Sequence, residues 1–153
     1  MTNAPGGVLL LVSSILYIIF NVVTLFNTPI TLITIDIWLW EFGGEAMREA
    51  WTIIYAADIV IALVAILVGV LGVVFCSKAH NAVLLIGLMI FSMILAIIYN
   101  FVYTAAIIGF SFELMATEWL RLFIGLALSI LFIVGASKNK KAADAAPYEK
   151  EWR

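Results

Sequence analysis

Apolar positions along the chain gather into four long runs, with polar residues falling inside them only at intervals. A helix needs about 20 mainly apolar residues to cross about 30 Å of hydrocarbon. Four stretches meet that requirement: 8–26, 52–75, 82–109 and 119–136. The first is interrupted only by Ser13, Ser14, Tyr17, Asn21 and Thr24. The second carries one charge, Asp58, and the third carries none. The length of the third predicts tilt, or projection past the headgroups. The fourth starts beside Arg121 and stops at Ser137-Lys138-Asn139-Lys140-Lys141. None shows the period-two alternation of a barrel strand. The pattern predicts an all-α polytopic membrane protein, with a four-helix transmembrane domain over 1–136 and a polar tail over 137–153.

The polar and small residues inside the spans keep helical spacing. In the second span Trp51, Tyr55, Asp58, Ala62, Ala65, Gly69, Gly72 and Cys76 recur every three or four residues. They form one stripe, polar at one end and small through the middle. Small stripes let membrane helices approach closely, because packing drives association in lipid. Ser14, Tyr17, Asn21, Thr24 and Thr28 repeat the logic in the first span. Ser92, Ala96, Tyr99 and Tyr103 do so in the third, with Asn100 and Thr104 beside them. The fourth offers Arg121, Gly125 and Ser129. One packing face per helix, at near-heptad spacing, predicts a left-handed antiparallel bundle.

Depth adds a second regularity. Asn21, Asp58 and Asn100 lie roughly five to nine residues inside the boundary away from the termini, about 8–13 Å at 1.5 Å per residue. Tyr17, Tyr55, Tyr99 and Tyr103 sit at comparable levels, with Arg121 just above. Asp58 is the only acid inside a span. A carboxylate at a helix centre costs about 2.5–3.5 kcal/mol on insertion scales and normally faces protein or water. The layer reads either as an interhelical clamp, with Asp58 paired to Arg121 or a tyrosine hydroxyl, or as a ligand or cation site.

Basic residues set the expected topology. Lys78, Lys138, Lys140, Lys141, Lys150 and Arg153 fall on one side, against Arg48 and Arg121 on the other. The positive-inside rule then places both termini in the cytoplasm. The first segment, 1–7, has no lysine or arginine and no small-residue cleavage pattern follows, so the first span is expected to be a permanent anchor. The outward loops, 27–50 and 110–118, carry Asp36, Glu41, Glu45, Glu49, Glu113 and Glu118, acids expected to keep the loops wet. Pro29 is expected to end the first helix, and the β-branched, aromatic run 30–42 reads as a short strand or an interfacial segment. Gly43-Gly44 breaks the chain, and the second helix should begin near Gly44. The tail, broken at Pro147, is expected to be mobile.

Composition narrows the function classes. The chain is 65% hydrophobic and 12% charged, with a mean hydropathy of +1.18. Soluble domains carry about twice that share of charge. A net charge of -2 argues against a nucleic-acid partner. One cysteine, Cys76, and one histidine, His80, leave no disulfide and no metal-spaced set. No nucleophile motif or phosphate loop is present, so no catalytic residue, metal or cofactor is assigned. Small multidrug exporters have a glutamate in the first span, where this chain has Tyr17 and Asn21. Gly6-Gly7-Val8-Leu9-Leu10-Leu11 and Ile130-Leu131-Phe132-Ile133-Val134-Gly135-Ala136, followed by lysines, resemble uncharacterised four-pass small integral membrane proteins of bacteria. That resemblance implies a bacterial plasma-membrane location and no activity. The expected role is non-enzymatic: an accessory or scaffolding subunit, or a self-associating tetraspan, with the bilayer and a membrane protein or second copy as partners. The alternative is binding or transport of a small ligand or cation centred on Asp58.

Overall fold

The computed structural model describes residues 4–42, 45–107 and 112–150. Four long helices account for almost all of them: α1 (Gly7–Phe42), α2 (Glu45–Phe75), α3 (Ala82–Ile107) and α4 (Phe112–Lys150). A 3-10 turn, Ala79–Asn81, joins α2 to α3. Each helix contains a stretch long and apolar enough to cross a membrane: Gly7–Thr28, Arg48–Phe75, Ala79–Ala106 (with the 3-10 turn) and Ala116–Ala145. The chain is an all-α four-helix bundle of an integral membrane protein. Only about a third of each apolar stretch is buried. The remainder, including Ile19, Val60, Leu84, Phe101 and Phe123, is exposed and suited to lipid.

Side-chain partners define the arrangement. Gly69 packs on Ile18, Gly72 on Ser14 and Gly7 on Cys76, pairs mirrored about the α1–α2 connection. Leu10 meets Gly135, and Phe20 meets Gly125, so α1 is also antiparallel to α4. Trp51 meets Tyr103 between α2 and α3, and Phe101 meets Trp119 between α3 and α4. The order is therefore up-down-up-down, with α1 and α3 on one diagonal and α2 and α4 on the other. The α1–α2 and α3–α4 connections share the distal end, and both termini share the terminal end.

Two expectations need correction, and one falls partly outside the described residues. First, α1 does not stop near residue 26, and 27–42 is neither loop nor strand: the helix runs through Pro29 to Phe42, about 54 Å in all at 1.5 Å per residue. Proline removes one backbone donor, but ending a helix in a water-poor setting would strand several. Next to the proline, the Thr28 hydroxyl lies 3.0 Å from the Thr24 carbonyl and 2.7 Å from Asp58 Oδ2, which pins α1 to α2 at that point. Second, α2 begins at Glu45, as expected, but Gly43-Gly44 lies outside the described residues. Third, the tail is not separate from the fourth span, because α4 continues through Pro147 to Lys150. Alanine and lysine extend a helix already nucleated at low cost.

The terminal half of the bundle is closed. Leu10, Val68, Leu85, Met89, Phe132 and Ala136 are at most 2% exposed and form one apolar cluster. Beyond them Asn139 joins three segments: its Oδ1 accepts from the Gly6 amide at 2.8 Å, and its Nδ2 donates to the Cys76 carbonyl at 2.9 Å.

Candidate functional site

Polar side chains from all four helices meet in the distal half. Asp58, on α2, is 2% exposed. Its Oδ1 forms an ion pair with Arg121 Nη2, and its Oδ2 lies 3.3 Å from Arg121 Nη1. Thr28, on α1, donates to Oδ2 at 2.7 Å. Nη1 of Arg121 also reaches Glu118, one turn earlier on α4, at 3.1 Å and 3.5 Å to the two carboxylate oxygens. One guanidinium thus serves two carboxylates.

A cavity of about 220 Å³ opens beside this cluster. Thr24, Thr28, Tyr55, Asp58, Tyr99, Glu118 and Arg121 line it, with the exposed Asn27 and Thr117 at its rim. Tyr55 is 4% exposed, and its hydroxyl has no hydrogen-bond partner. Trp51, Tyr55, Tyr99 and Tyr103 form one buried aromatic group across α2 and α3, with ring centroids 5.8–5.9 Å apart. These bulky rings hold the two helices apart at this level.

A second cavity, about 50 Å³, lies deeper and shares Glu118 and Arg121 with the first. Tyr17, Asn21, Ser92, Asn100 and Ser129 supply its polar lining. Tyr17 and Ser92 hydroxyls are 3.0 Å apart, and Asn21 Nδ2 donates to the Tyr17 carbonyl at 2.8 Å. Asn100 Nδ2 donates to the Glu118 carbonyl at 3.1 Å, while its buried Oδ1 has no partner.

The residues expected to form the layer divide between these spaces. Tyr55, Asp58 and Tyr99 line the larger, Tyr17, Asn21 and Asn100 the smaller, and Arg121 both. Tyr103 lines neither and packs instead on Trp51 and Tyr99. Of the packing positions, Ala62, Ala65, Gly125 and Ser129 border the smaller cavity, whereas Gly69 faces α1 and Gly72 lies between Ser14 of α1 and Phe132 of α4. Asp58 takes Arg121 and Thr28 as its partners.

Sequence reasoning missed two residues. Glu118 was expected to be a wet loop acid, yet it belongs to α4 and to both cavities. Its place one turn before Arg121 was the available signal, since such neighbours share a helix face. Asn139 falls in the segment that reads as tail, although Arg121, Gly125, Ser129, Phe132, Ala136 and Asn139 continue a single stripe at spacings of three and four. Among the described residues no group of three or more His, Cys, Asp or Glu side chains is placed to hold a metal ion. No family model matches the chain, and no curated protein or solved structure matches it either.

Proposed function

We propose that this integral membrane protein is a non-enzymatic binder of a small polar ligand or cation, held in the cavity at the distal end of the bundle. One observation carries the reading: a cavity of about 220 Å³ bounded by the Asp58–Arg121–Glu118 cluster. Burying such groups is costly unless they are satisfied, and retaining room beside them favours an occupant over a simple clamp. Closure of the terminal half by Leu10, Val68, Leu85, Met89 and Phe132 supports binding rather than conduction. With the lysine-rich end in the cytoplasm of a bacterial cell, the cavity faces outward. The test is ligand-induced thermal stabilisation of the purified protein in mild detergent against a panel of small amines, alcohols and carboxylates. Stabilisation by at least one class, abolished by Asn27→Trp at the rim, is expected; a flat response across the panel refutes the reading.

A second reading, an accessory subunit or self-associating tetraspan, is favoured by Gly87. This glycine is exposed on α3, with open space where a side chain would begin, among exposed Val83, Leu84, Ile90, Phe91 and Ile94. A notch in an apolar wall admits a further helix closely. Cross-linking in native membranes that Gly87→Leu abolishes would support this role, and cross-linking unchanged by Gly87→Leu would refute Gly87 as its seat.

A further inference from the structure

We infer that the distal cavity takes a monovalent organic cation, a small ammonium compound, and that Glu118 recognises its charge. The inference rests on the ligand-binding reading and narrows it to one chemical class.

The bonding pattern around Arg121 supplies the first ground. Asp58 takes both terminal nitrogens of Arg121 and the Thr28 hydroxyl, so it neutralises the guanidinium. Both Glu118 oxygens face the same nitrogen of Arg121, at 3.1 Å and 3.5 Å, which allows one good hydrogen bond at most. Most of the acceptor capacity of that carboxylate is unused, because each oxygen can accept two donors. With both carboxylates ionised, the surplus negative charge of the cluster sits on Glu118, on the cavity wall. A net charge held in the apolar part of a bilayer calls for a counter-charge. An anionic ligand meets the opposite situation, since Asp58 and Glu118 already occupy the guanidinium.

The second ground is the rest of the lining. Tyr55 and Tyr99 put two aromatic side chains in the lining, a residue type whose ring quadrupole attracts cations. A metal ion would want several carboxylate or imidazole ligands, and no such group is assembled among the described residues. Size sets the upper limit. An engineered cavity of about 150 Å³ holds benzene, so about 220 Å³ suits one ring with a short chain or an aliphatic amine of similar bulk.

The probes are benzylammonium, benzyl alcohol and benzoate, matched in shape and differing in charge, titrated calorimetrically into the detergent-purified full chain at pH 7. Benzylammonium is expected to bind at least tenfold more tightly than the alcohol, with benzoate weakest. Glu118→Gln should bring the amine and alcohol within a factor of three, which non-specific uptake into detergent would not do. The wild-type series decides selectivity even if that variant fails to fold. Equal binding of amine and alcohol overturns the cation assignment while leaving a ligand cavity in place. Binding of none of the three overturns the cavity reading itself.

Discussion

A backbone-to-backbone approach between α1 and α4 gives the bundle its sharpest test. Gly135 on α4 lies against the backbone of Leu10 on α1: a Cβ placed there would sit 2.7 Å from the Leu10 nitrogen and 3.0 Å from its Cα and Cβ. Comfortable carbon contacts are about 3.5–4.0 Å, so Gly135→Ala must push α1 away by roughly 0.5–1 Å. Backbone cannot rotate aside as a side chain would. The Gly6–Asn139 hydrogen bond, one turn further along both helices at 2.8 Å, then stretches toward the edge of useful geometry. Overpacking costs about 1–3 kcal/mol, and a weakened buried hydrogen bond adds about 0.5–1.5 kcal/mol. Against this, alanine contributes about 1 kcal/mol of helix propensity over glycine.

The balance is a destabilisation of about 1–3 kcal/mol for Gly135→Ala. Gly87→Ala is the matched control, because a Cβ there meets nothing within 4 Å. It should be neutral, or up to about 1 kcal/mol stabilising, in protein dispersed as monomers. Equilibrium unfolding in mild detergent, followed by circular dichroism, compares the two substitutions. Equal stabilities would show that α1 and α4 are not in backbone contact at Leu10, and the packing described above would be wrong.

Other substitutions probe the two polar ends. Arg121→Gln leaves two carboxylates facing each other and should cost about 3–5 kcal/mol of unfolding free energy, whereas Asp58→Asn leaves the Arg121–Glu118 pair intact and should cost less than half as much. The reverse ranking would mean that Glu118 is no real partner of Arg121. Asn139→Leu strands the Gly6 amide and the Cys76 carbonyl, at about 1–3 kcal/mol, and should speed hydrogen exchange of the Gly6 amide; unchanged exchange would mean water replaces the side chain freely. A reporter fused after Arg153 is expected to be active only if it is a cytoplasm-dependent type, and activity of an exterior-dependent reporter there would invert the proposed topology.

What the sequence disclosed and what it hid have separate physical causes. The four spans and their faces follow from composition at a period of three and four, and every position of the α2 stripe from Trp51 to Gly72 is buried. Lipid enforces that legibility, because outward positions must be apolar and polar ones stand out. Helix ends were less legible. Pro29 and the β-branched run after it carry local signals against a helix, yet α1 continues as helix to Phe42. Lys138, Lys140 and Lys141 mark where a helix leaves hydrocarbon, not where it ends, and α4 proceeds past them. Glu118 was obscured likewise: an acid near a span boundary reads as solvated until a cation one turn away folds back on it. Cavities have no sequence signature, since they record what the side chains fail to fill.

The two α2–α4 diagonals explain why the room appears where it does. Asp58 meets Arg121 at the distal end, and the Cys76 carbonyl meets Asn139 at the terminal end. Eighteen residues separate the two positions on each helix, about 27 Å, close to the thickness of a hydrocarbon core. Equal spacing means that α2 and α4 run side by side without slippage, tied by polar groups near each face of the bilayer. Between the ties the stripe changes character. Toward the termini it is built of Gly69, Gly72 and Gly135, which bring α1 against α2 and α4. Toward the distal end it is built of Tyr55, Tyr99, Tyr103 and Trp51, which wedge α2 from α3, while a Cβ at Gly125 would meet only Phe20, at 3.4 Å. Small residues close one half and large aromatic ones open the other, so the cavity follows from the gradient of side-chain size along the packing face.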